Sequence, residues 1–382
     1  MSAALTDSRV RVLVVDDSNF VRRSLANLLG ADPRLEVIGF AADGNEALAK
    51  VRELRPDVVT MDVIMPRMNG IEAVRRLMNT DPVPVVMVSS YTRQGAAYTV
   101  EALSLGAIDC VLKPTRSVSL DLHLIAEELI AKVLLASRIR PVRYAPIGEK
   151  EETGKTDKPV PEQTETRIST PKTTASITVE SAPIPAPRTS QTSFIAIGAS
   201  TGGPALLRRL LASLPADYPV PVAVVQHITP SFYEELVRIF DRVCPLDVCR
   251  PVDGERPKPG KVYLAAPRSH LQVDDRRRFS LLTAEPVAGH IPSASVLLKS
   301  VASAYGIGSV GVILSGMGSD GVDGMKEIER VGGGAYVQDR LSSVVWGMPS
   351  AVLEAGVDAN IVSAVELPEL FRRLAEYDDA LN

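Results

Sequence analysis

Short apolar runs alternate with amphipathic segments in both halves of the chain. Residues 12–15, 58–61 and 85–88 in the first half, and residues 194–197 and 222–225 in the second, are almost wholly apolar. Runs without polar alternation are typical of strands buried on both faces of a parallel sheet, and the amphipathic segments between them predict the covering helices. The pattern therefore predicts an α/β protein with two doubly wound parallel-sheet domains.

The composition changes between these halves. Residues 141–192 hold eight prolines and ten threonines, and they lack Phe and Trp. Such a segment cannot bury enough apolar surface to offset the entropy lost on ordering it. We therefore predict a flexible Pro/Thr-rich linker over 138–192, which joins domains at 8–137 and 193–382.

Charge, hydropathy and cysteine use narrow the classes of function. The 382 residues carry a net charge of −4 without a basic block, which disfavours nucleic acid as a partner. No apolar run reaches the roughly eighteen residues of a membrane span, and Asp7 and Arg9 stand where an export signal would be apolar. We expect a cytoplasmic protein without membrane insertion, whose three cysteines are reduced packing residues because they lack zinc-like spacing.

Chemically active side chains follow four predicted strands of the first half. They are Asp16 and Asp17, Asp62, Ser89 and Lys113. The carboxyl ends of parallel strands meet at one edge of a sheet, so these groups should converge. Three carboxylates together predict a bound divalent cation, Mg2+, and a carboxylate, metal, hydroxyl and lysine are what phosphoryl transfer to an aspartate requires. Each residue alone also has an ordinary structural explanation as a turn acid, a cap or a surface cation.

With this constellation and the loop MPRMNG at 65–70, residues 8–137 resemble the receiver domain of two-component response regulators. The resemblance implies a flavodoxin-like fold with Asp62 as the phospho-acceptor and Mg2+ held by Asp16, Asp17 and Asp62. It also implies that Ser89, Tyr91 and Lys113 respond to the phosphoryl group. A DNA-binding output is disfavoured, because the second half is large and lacks a basic recognition helix.

A serine in a glycine-rich turn opens the second half. Residues 198–204, GASTGGP, separate an apolar run from an amphipathic helical pattern. The G-x-S-x-G spacing predicts a nucleophile elbow that projects the Ser200 hydroxyl at a helix N-terminus. A dinucleotide-binding loop is the weaker interpretation, because Ser200 occupies the place of its middle glycine. A simple helix N-cap is the structural alternative, and this motif alone does not decide against it.

Four histidines are candidates for the base that would activate this serine. His227 ends a buried strand, whereas His270 and His290 lie in a predicted hairpin and a loop, and His123 lies in the last helical segment of the first half. Because Ser200 also follows a buried strand, His227 is the predicted base.

Asp320, in the segment GMGSDG at 316–321, is the predicted acid that orients the base. A turn aspartate is the ordinary explanation for it, and Asp323 and Asp339 are possible substitutes. The chain order Ser, His, Asp differs from that of α/β-hydrolases, so the second half is not a standard member of that fold.

Residues 193–382 resemble the catalytic domain of chemotaxis protein-glutamate methylesterases. The motifs that carry this resemblance are GASTGGP, Gln226-His227, GMGSDG and QDRLSSVVWGMP at 338–349. The resemblance implies a Rossmann-like domain with Ser200 as nucleophile, His227 as base and Asp320 as orienting acid. It also implies that the backbone amide of Met317 lies in the oxyanion hole, and that ester hydrolysis needs no cofactor.

The same resemblance implies a reaction and its control. The reaction is hydrolysis of γ-glutamyl methyl esters on cytoplasmic helices of chemoreceptors, with deamidation of certain glutamines as a second activity. A chemotaxis-type histidine kinase would supply the phosphoryl group. The unphosphorylated receiver would cover the catalytic face, and phosphorylation at Asp62 would loosen that contact.

One stretch departs from the family pattern. Where the family commonly has His-Arg-Pro followed by Val-Asp-Val-Leu-Phe, this chain has Ile291 for the arginine and Ser295 for the aspartate. Our hypothesis is that the chemistry is intact and the choice of partner is altered. The alternative from another class is a phosphorylation-controlled binding protein that has lost catalysis. Ile291 and Ser295 give this alternative some support, whereas the presence of Ser200, His227 and Asp320 argues against it.

Overall fold

A computed structural model of the chain describes residues 9–89, 92–113, 119–139 and 192–376. Tyr91, the side chain of His123 and residues 140–191 of the predicted linker lie outside the described part. Two α/β domains are present, one on each side of that linker.

The first domain is built on five parallel strands in the order β2-β1-β3-β4-β5. This order is that of flavodoxin-like sheets and confirms the predicted fold. The strands are β1 (Val10–Val15), β2 (Leu35–Ala41), β3 (Val58–Asp62), β4 (Val85–Ser89) and β5 (Asp109–Leu112). The helices are α1 (Asn19–Gly30), α2 (Gly44–Leu54), α3 (Gly70–Thr80), α4 (Arg93–Ser104) and α5 (Ser119–Ala136).

Local sequence explains where these helices begin. The side chains of Ser18, Asp43, Asn69 and Thr92 each accept a backbone N–H from the first turn of α1, α2, α3 and α4. Such caps satisfy donors that the helix itself leaves without a partner.

The second domain is built on seven parallel strands in the order β14-β13-β12-β6-β7-β9-β8, with an antiparallel hairpin of β10 and β11 beside them. The strands are β6 (Phe194–Ala199), β7 (Val222–Gln226), β8 (Asp247–Cys249), β9 (Lys261–Leu264), β10 (His270–Val273), β11 (Phe279–Leu282), β12 (Ser309–Ile313), β13 (Gly334–Gln338) and β14 (Asn360–Val362). The helices are α6 (Gly203–Ala212), α7 (Tyr233–Val243), α8 (Ala294–Tyr305), α9 (Val322–Arg330), α10 (Gly347–Glu354) and α11 (Leu367–Ala375), with 3-10 turns at Pro230–Phe232 and Gly306–Gly308.

Strand β6 lies at the centre of the second sheet, and all of its residues are buried. Its neighbours are β7 on one side and β12 on the other, so the connections leave β6 in opposite directions. Open α/β sheets bind ligands at such a switch point, outside the carboxyl ends of the strands. The fold thereby brings the segments that follow β6, β7 and β12 to one place.

The two domains pack against each other through α4. This helix contacts α6, α7 and the 3-10 turn Pro230–Phe232. Val100 and Leu103 of α4 belong to the same cluster of buried apolar side chains as Phe232 and Tyr233 of the second domain. The interface is therefore partly apolar.

Cys110 and Cys244 are buried, and no cysteine of the described residues forms a disulfide. Within the described ranges, none of the helices combines the length and apolar character that crossing a bilayer would require.

Candidate active site

Three predicted site residues meet at the switch point of the second sheet. Ser200 directly follows β6, His227 directly follows β7, and Asp320 lies in the loop between β12 and α9. Nε2 of His227 lies 2.9 Å from Oδ2 of Asp320. Of the substitutes, Asp323 pairs with Lys299. Asp339 accepts a hydrogen bond from the Ser342 amide instead.

Asp320 is fully buried and surrounded by hydrogen-bond donors. The Ser293 hydroxyl donates to its carboxylate at 2.7 Å, and the backbone amides of Ala294 and Ser295 donate at 2.7 and 3.0 Å. Burial acts to raise the pKa of Asp320, but the hydrogen bonds from His227, Ser293 and these amides outweigh it and hold the pKa far below its usual value. The carboxylate is therefore ionised at neutral pH and can fix the His227 ring.

The backbone at Ser200 is fixed from both sides. Its amide donates to the Ser315 carbonyl at 3.0 Å. Its carbonyl accepts from the Gln226 side chain at 2.8 Å, and the same Gln226 nitrogen donates to the His227 carbonyl at 2.9 Å. Gln226 thus ties the predicted nucleophile to the predicted base, a role that sequence reasoning missed although Gln226 stands in one of the motifs.

The two ring nitrogens of His227 have different surroundings. Because Nε2 contacts Asp320, Nδ1 is the nitrogen left for a proton transfer, and it is buried without a hydrogen-bond partner in the described part of the chain. The more familiar triad arrangement uses Nδ1 for the acid and Nε2 for the serine. A catalytic hydrogen bond is often long before substrate arrives, so the Ser200 hydroxyl remains a candidate donor to Nδ1.

Two glycines, Gly202 and Gly316, allow the turn after β6 and the segment after β12 to lie close together. Gly202 precedes α6 with a φ of 79°, a left-handed conformation that glycine adopts without strain. A Cβ at Gly316 would lie 2.8 Å from Cβ of Ser200, so only glycine lets the segment after β12 come this close. Met317 follows directly, and its side chain is largely exposed.

His290 lies against the predicted base. The two imidazole rings stack with centroids 3.8 Å apart and planes 7° from parallel. Burial, together with the neighbouring His227, lowers the pKa of His290. Sequence reasoning offered His290 only as a less favoured candidate for the base and missed this contact, because ring stacking between separate loops leaves no local pattern.

The two residues that depart from the family pattern, Ile291 and Ser295, lie in different environments. Ser295 is buried, and its hydroxyl accepts the Gly321 amide at 2.8 Å while its own amide donates to Asp320. Ser295 is therefore part of the surroundings of Asp320, and our hypothesis about partner choice stays a prediction. Ile291 lines the cavity beside His290.

A cavity of about 390 Å³ opens at the predicted site. Ser200, His227 and His290 line it from the second domain, and Asp109 and Lys132 line it from the first. The receiver-like domain therefore forms one wall of the cavity that contains the predicted nucleophile.

Polar contacts join the two walls. The Thr201 hydroxyl donates to Oδ2 of Asp109 at 3.1 Å. Lys132 pairs with the other oxygen of Asp109 at 3.0 Å and with Glu128 at 2.8 Å. Asp109 is thereby held between a cation of its own domain and the residue next to Ser200.

The first domain gathers its predicted site residues as well. Carboxylate oxygens of Asp16, Asp17 and Asp62 lie within 4.8 Å of one another, and Lys113 pairs with Asp16 at 2.7 Å and with Asp62 at 2.8 Å. Burial raises the pKa of Asp62 to about 6, and the carboxylate of Asp16 adds to this against the opposing effect of Lys113. Crowded oxygen ligands of this kind fit a hard divalent cation, which would relieve their repulsion.

Ser89 connects that site to the interface. It is fully buried, and its hydroxyl donates to the Gly95 carbonyl of α4 at 3.3 Å. Because α4 packs on the second domain, a change at Ser89 can reach the domain interface through one helix.

Two protein-family models match the chain. One is described as CheB methylesterase and matches residues 195–371, and the other is described as response regulator receiver domain and matches residues 12–124.

Curated relatives cover nearly the whole chain. A protein of Symbiobacterium thermophilum named protein-glutamate methylesterase/protein-glutamine glutaminase is 38% identical over 95% of this chain and 96% of its own length. A protein of Myxococcus xanthus named protein-glutamate methylesterase/protein-glutamine glutaminase 4 is 41% identical over 96% of each.

Solved structures of separate domains are also similar. The CheB methylesterase catalytic domain of Thermotoga maritima is 34% identical, with a TM-score of 0.46, over 48% of this chain and 99% of its own. The response regulator domain of Thermotoga maritima CheB is 49% identical, with a TM-score of 0.32, over 35% of this chain and 99% of its own.

Proposed function

The chain belongs to the CheB methylesterase family, and from that premise we propose that Ser200, His227 and Asp320 are its catalytic residues and that phosphorylation of Asp62 controls them. The protein is a protein-glutamate methylesterase and protein-glutamine glutaminase that serves adaptation in chemotaxis. The observation that carries the assignment of residues is the contact of His227 with the buried Asp320 at the carboxyl end of the strand beside Ser200.

The proposed reaction proceeds through an acyl-enzyme. Ser200 Oγ attacks the side-chain carbonyl of a glutamate methyl ester while Nδ1 of His227 accepts the hydroxyl proton. The C–O bond to the methoxy group then breaks, His227 protonates the departing oxygen, and methanol leaves. Water attacks the acyl-enzyme with His227 again as base, which releases glutamate and restores the serine. With glutamine the leaving group is ammonia, and the remaining steps are the same.

Negative charge develops on the carbonyl oxygen in each tetrahedral intermediate. The Met317 amide is the proposed donor to that oxygen, and in the described part of the chain it donates no other hydrogen bond. The amide of Thr201, the residue after the nucleophile, is the second proposed donor, as in other nucleophile elbows. One such donor is worth about 3 to 4 kcal/mol of transition-state stabilisation.

Asp320 supports the chemistry by its charge. Its carboxylate stabilises the imidazolium that forms on His227 during each proton transfer and fixes which ring nitrogen faces Ser200. Because the carboxylate accepts four hydrogen bonds, it stays in one orientation throughout.

Control is proposed to come from the first domain. Asp16, Asp17 and Asp62 would hold Mg2+, which, when bound, neutralises charge on a phosphoryl group being transferred to Asp62. Lys113 would contact that group, and Ser89 would turn from Gly95 toward its oxygens. Since α4 carries Gly95 and packs on the second domain, this turn would weaken the interface. Tyr91, proposed to act with Ser89, lies outside the described residues.

The substrate is proposed to be a methylated helix of a chemoreceptor in the cytoplasm, and the phosphodonor a chemotaxis-type histidine kinase. The position of the receiver domain supports a need for activation, because Asp109 and Lys132 of that domain line the cavity that contains Ser200.

Serine-directed labelling tests the proposed residues. Phenylmethylsulfonyl fluoride should sulfonylate Ser200 in the phosphodonor-treated full chain, as mapped by peptide mass spectrometry. Ser200→Ala should abolish the label, and Asp320→Asn should slow it. A binding protein that has lost catalysis would leave Ser200 unlabelled under the same conditions.

A further inference from the structure

His270 is a buried histidine whose contacts lead to the site. His270 begins β10 and is only 1% exposed. We infer that His270 is a positioning residue, which acts through Ser293 to hold the hydrogen-bond donors around Asp320. This inference rests on the proposed catalytic role of Asp320.

Both ring nitrogens of His270 have fixed roles. Nδ1 lies 3.1 Å from the Ser293 amide, and Nε2 lies 3.1 Å from the Glu285 carbonyl. A backbone amide can only donate and a carbonyl can only accept, so Nδ1 carries the lone pair and Nε2 carries the proton. The neighbours of His270 thus select one neutral tautomer.

Ser293 connects His270 to the site, because it hydrogen-bonds to both His270 and Asp320. It is the N-cap of α8, with extended backbone at φ −109° and ψ 134°, and it is fully buried. Its hydroxyl donates to Asp320 and the next two amides do the same. The amide of Ser293 itself points to the other side, where His270 supplies its acceptor.

The start of α8 therefore lies between a histidine and a carboxylate. A buried amide without an acceptor is unfavourable by about 1 to 3 kcal/mol, so loss of the His270 acceptor would favour a rotation of the Ser293 backbone. Such a rotation moves the Ser293 hydroxyl and the Ala294 amide together, because they belong to the same turn. Asp320 would then lose its fixed orientation toward His227.

This function differs from simple core packing. The hairpin that carries His270 is separate from the sheet that carries Ser200 and His227, and it contacts α8 through β10. A residue that only filled space there would be replaceable by any polar side chain of similar volume. The contacts instead require an acceptor at the position of Nδ1.

Two substitutions separate these possibilities. In His270→Asn the amide oxygen can occupy the position of Nδ1 and accept the Ser293 amide. In His270→Gln the amide reaches the position of Nε2 and keeps a donor for Glu285, but Ser293 loses its acceptor. Both variants remove the imidazole ring, and His270→Asn loses one methylene more than His270→Gln, so packing alone would make His270→Asn the slower variant.

The measurement is the inactivation of phosphodonor-treated full chain by phenylmethylsulfonyl fluoride, resolved into its maximal rate constant and its half-saturating concentration. We expect His270→Gln to lower the rate constant by about tenfold to a hundredfold, the scale of a misplaced catalytic group, with the half-saturating concentration unchanged. His270→Asn should stay within about threefold of the natural chain, as expected when the hydrogen bond is kept. Equal rate constants for the two variants, or a natural rate constant for His270→Gln, would overturn the inference.

A second pair protects the test against misfolding. Ser293→Ala keeps the amide that donates to His270 and removes the hydroxyl that donates to Asp320, and it should lower the rate constant. If His270 acts through Ser293, His270→Gln should lower the rate constant by a smaller factor in the Ser293→Ala background than in the natural chain. If the factor is the same in both backgrounds, the two residues act independently, which would contradict action through Ser293. If the melting curve shows that His270→Gln does not fold, His270→Asn decides alone, and a loss beyond about threefold overturns the inference.

Failure of the proposed function would look different. If Asp320→Asn is labelled at the natural rate, Asp320 has no catalytic role. If Asp320→Asn is slow while His270→Gln is as fast as the natural chain, only the inference about His270 fails.

Discussion

The hydroxyl of Thr201, the residue next to the proposed nucleophile, donates a hydrogen bond of 3.1 Å to Asp109 of the receiver domain. Asp109 begins β5, and Lys113, which pairs with the proposed phospho-acceptor Asp62, follows the end of the same strand. One short strand therefore links the proposed phosphorylation site to the cavity that contains Ser200.

Removing this contact should release basal activity. Asp109→Ala deletes a hydrogen bond worth about 1 kcal/mol across the interface, so the full chain without phosphodonor should become about fivefold more active. Methanol release from methylated receptor membranes measures this. Asp32→Ala, which removes a half-buried carboxylate paired with Arg34 within the receiver domain, is the matched control and should change nothing. Unchanged basal activity in Asp109→Ala would show that Thr201 and Asp109 do not hold the domains together.

Removing the whole receiver should have a larger effect. Residues 193–382 alone lack the wall formed by Asp109 and Lys132, so they should hydrolyse receptor esters faster than the full chain without phosphodonor. Phosphodonor should narrow the difference by activating only the full chain. Equal rates for the two proteins would argue against inhibition by the receiver.

The charge of Asp320 should affect stability as well as activity. Its folded pKa lies below the usual value of about 4, so its ionised form stabilises the fold above that pH, and this stabilisation is lost as the pH falls through the folded pKa. Asp320→Asn does not titrate. The melting temperature of Asp320→Asn should therefore lie below that of the natural chain at pH 7, and the difference should shrink below about pH 4.

The same variant, Asp320→Asn, should hydrolyse receptor esters about four orders of magnitude more slowly than the natural chain, as when the orienting acid of a serine triad is removed. A melting difference that does not depend on pH would mean that the carboxylate is not specially stabilised in the fold.

The stacked histidine should matter for the orientation of His227. His290→Phe keeps a flat ring against His227, whereas His290→Ala removes it. We expect His290→Ala to lower the turnover number by about tenfold and His290→Phe to retain most of it, because a displaced base loses alignment. If both variants lose activity equally, the imidazole itself takes part in the reaction and stacking is not its main function.

The sequence was sufficient for the fold because its strands are apolar on both faces. Residues 194–197 and 222–225 are apolar throughout, which is typical of buried strands of a parallel sheet, and the carboxyl ends of such strands meet. This rule predicted that Ser200 and His227 would lie at one edge of the sheet, whereas it left Asp323 and Asp339 as substitutes for Asp320. The five-stranded sheet of the first domain was predictable in the same way.

The surroundings of Asp320 could not be predicted in this manner. Two of its donors are backbone amides of Ala294 and Ser295, which any residue could supply, and the residues involved are about 25 positions away in sequence. Nor does a sequence determine which nitrogen of His227 meets the acid, since this depends on the side-chain rotamer. The contacts of Ser295 with Asp320 and Gly321 were unpredictable for the same reason, because its burial follows from the fold and not from its neighbours in the chain.

The central claim is that Ser200 cleaves receptor methyl esters under the control of Asp62. Its most direct test is methanol release from methylated chemoreceptor membranes by the full chain, with and without acetyl phosphate and Mg2+, alongside Ser200→Ala and Asp62→Asn. We predict release that requires Ser200 and that rises with acetyl phosphate only when Asp62 is present. Release that persists in Ser200→Ala, or that rises equally in Asp62→Asn, would contradict the account.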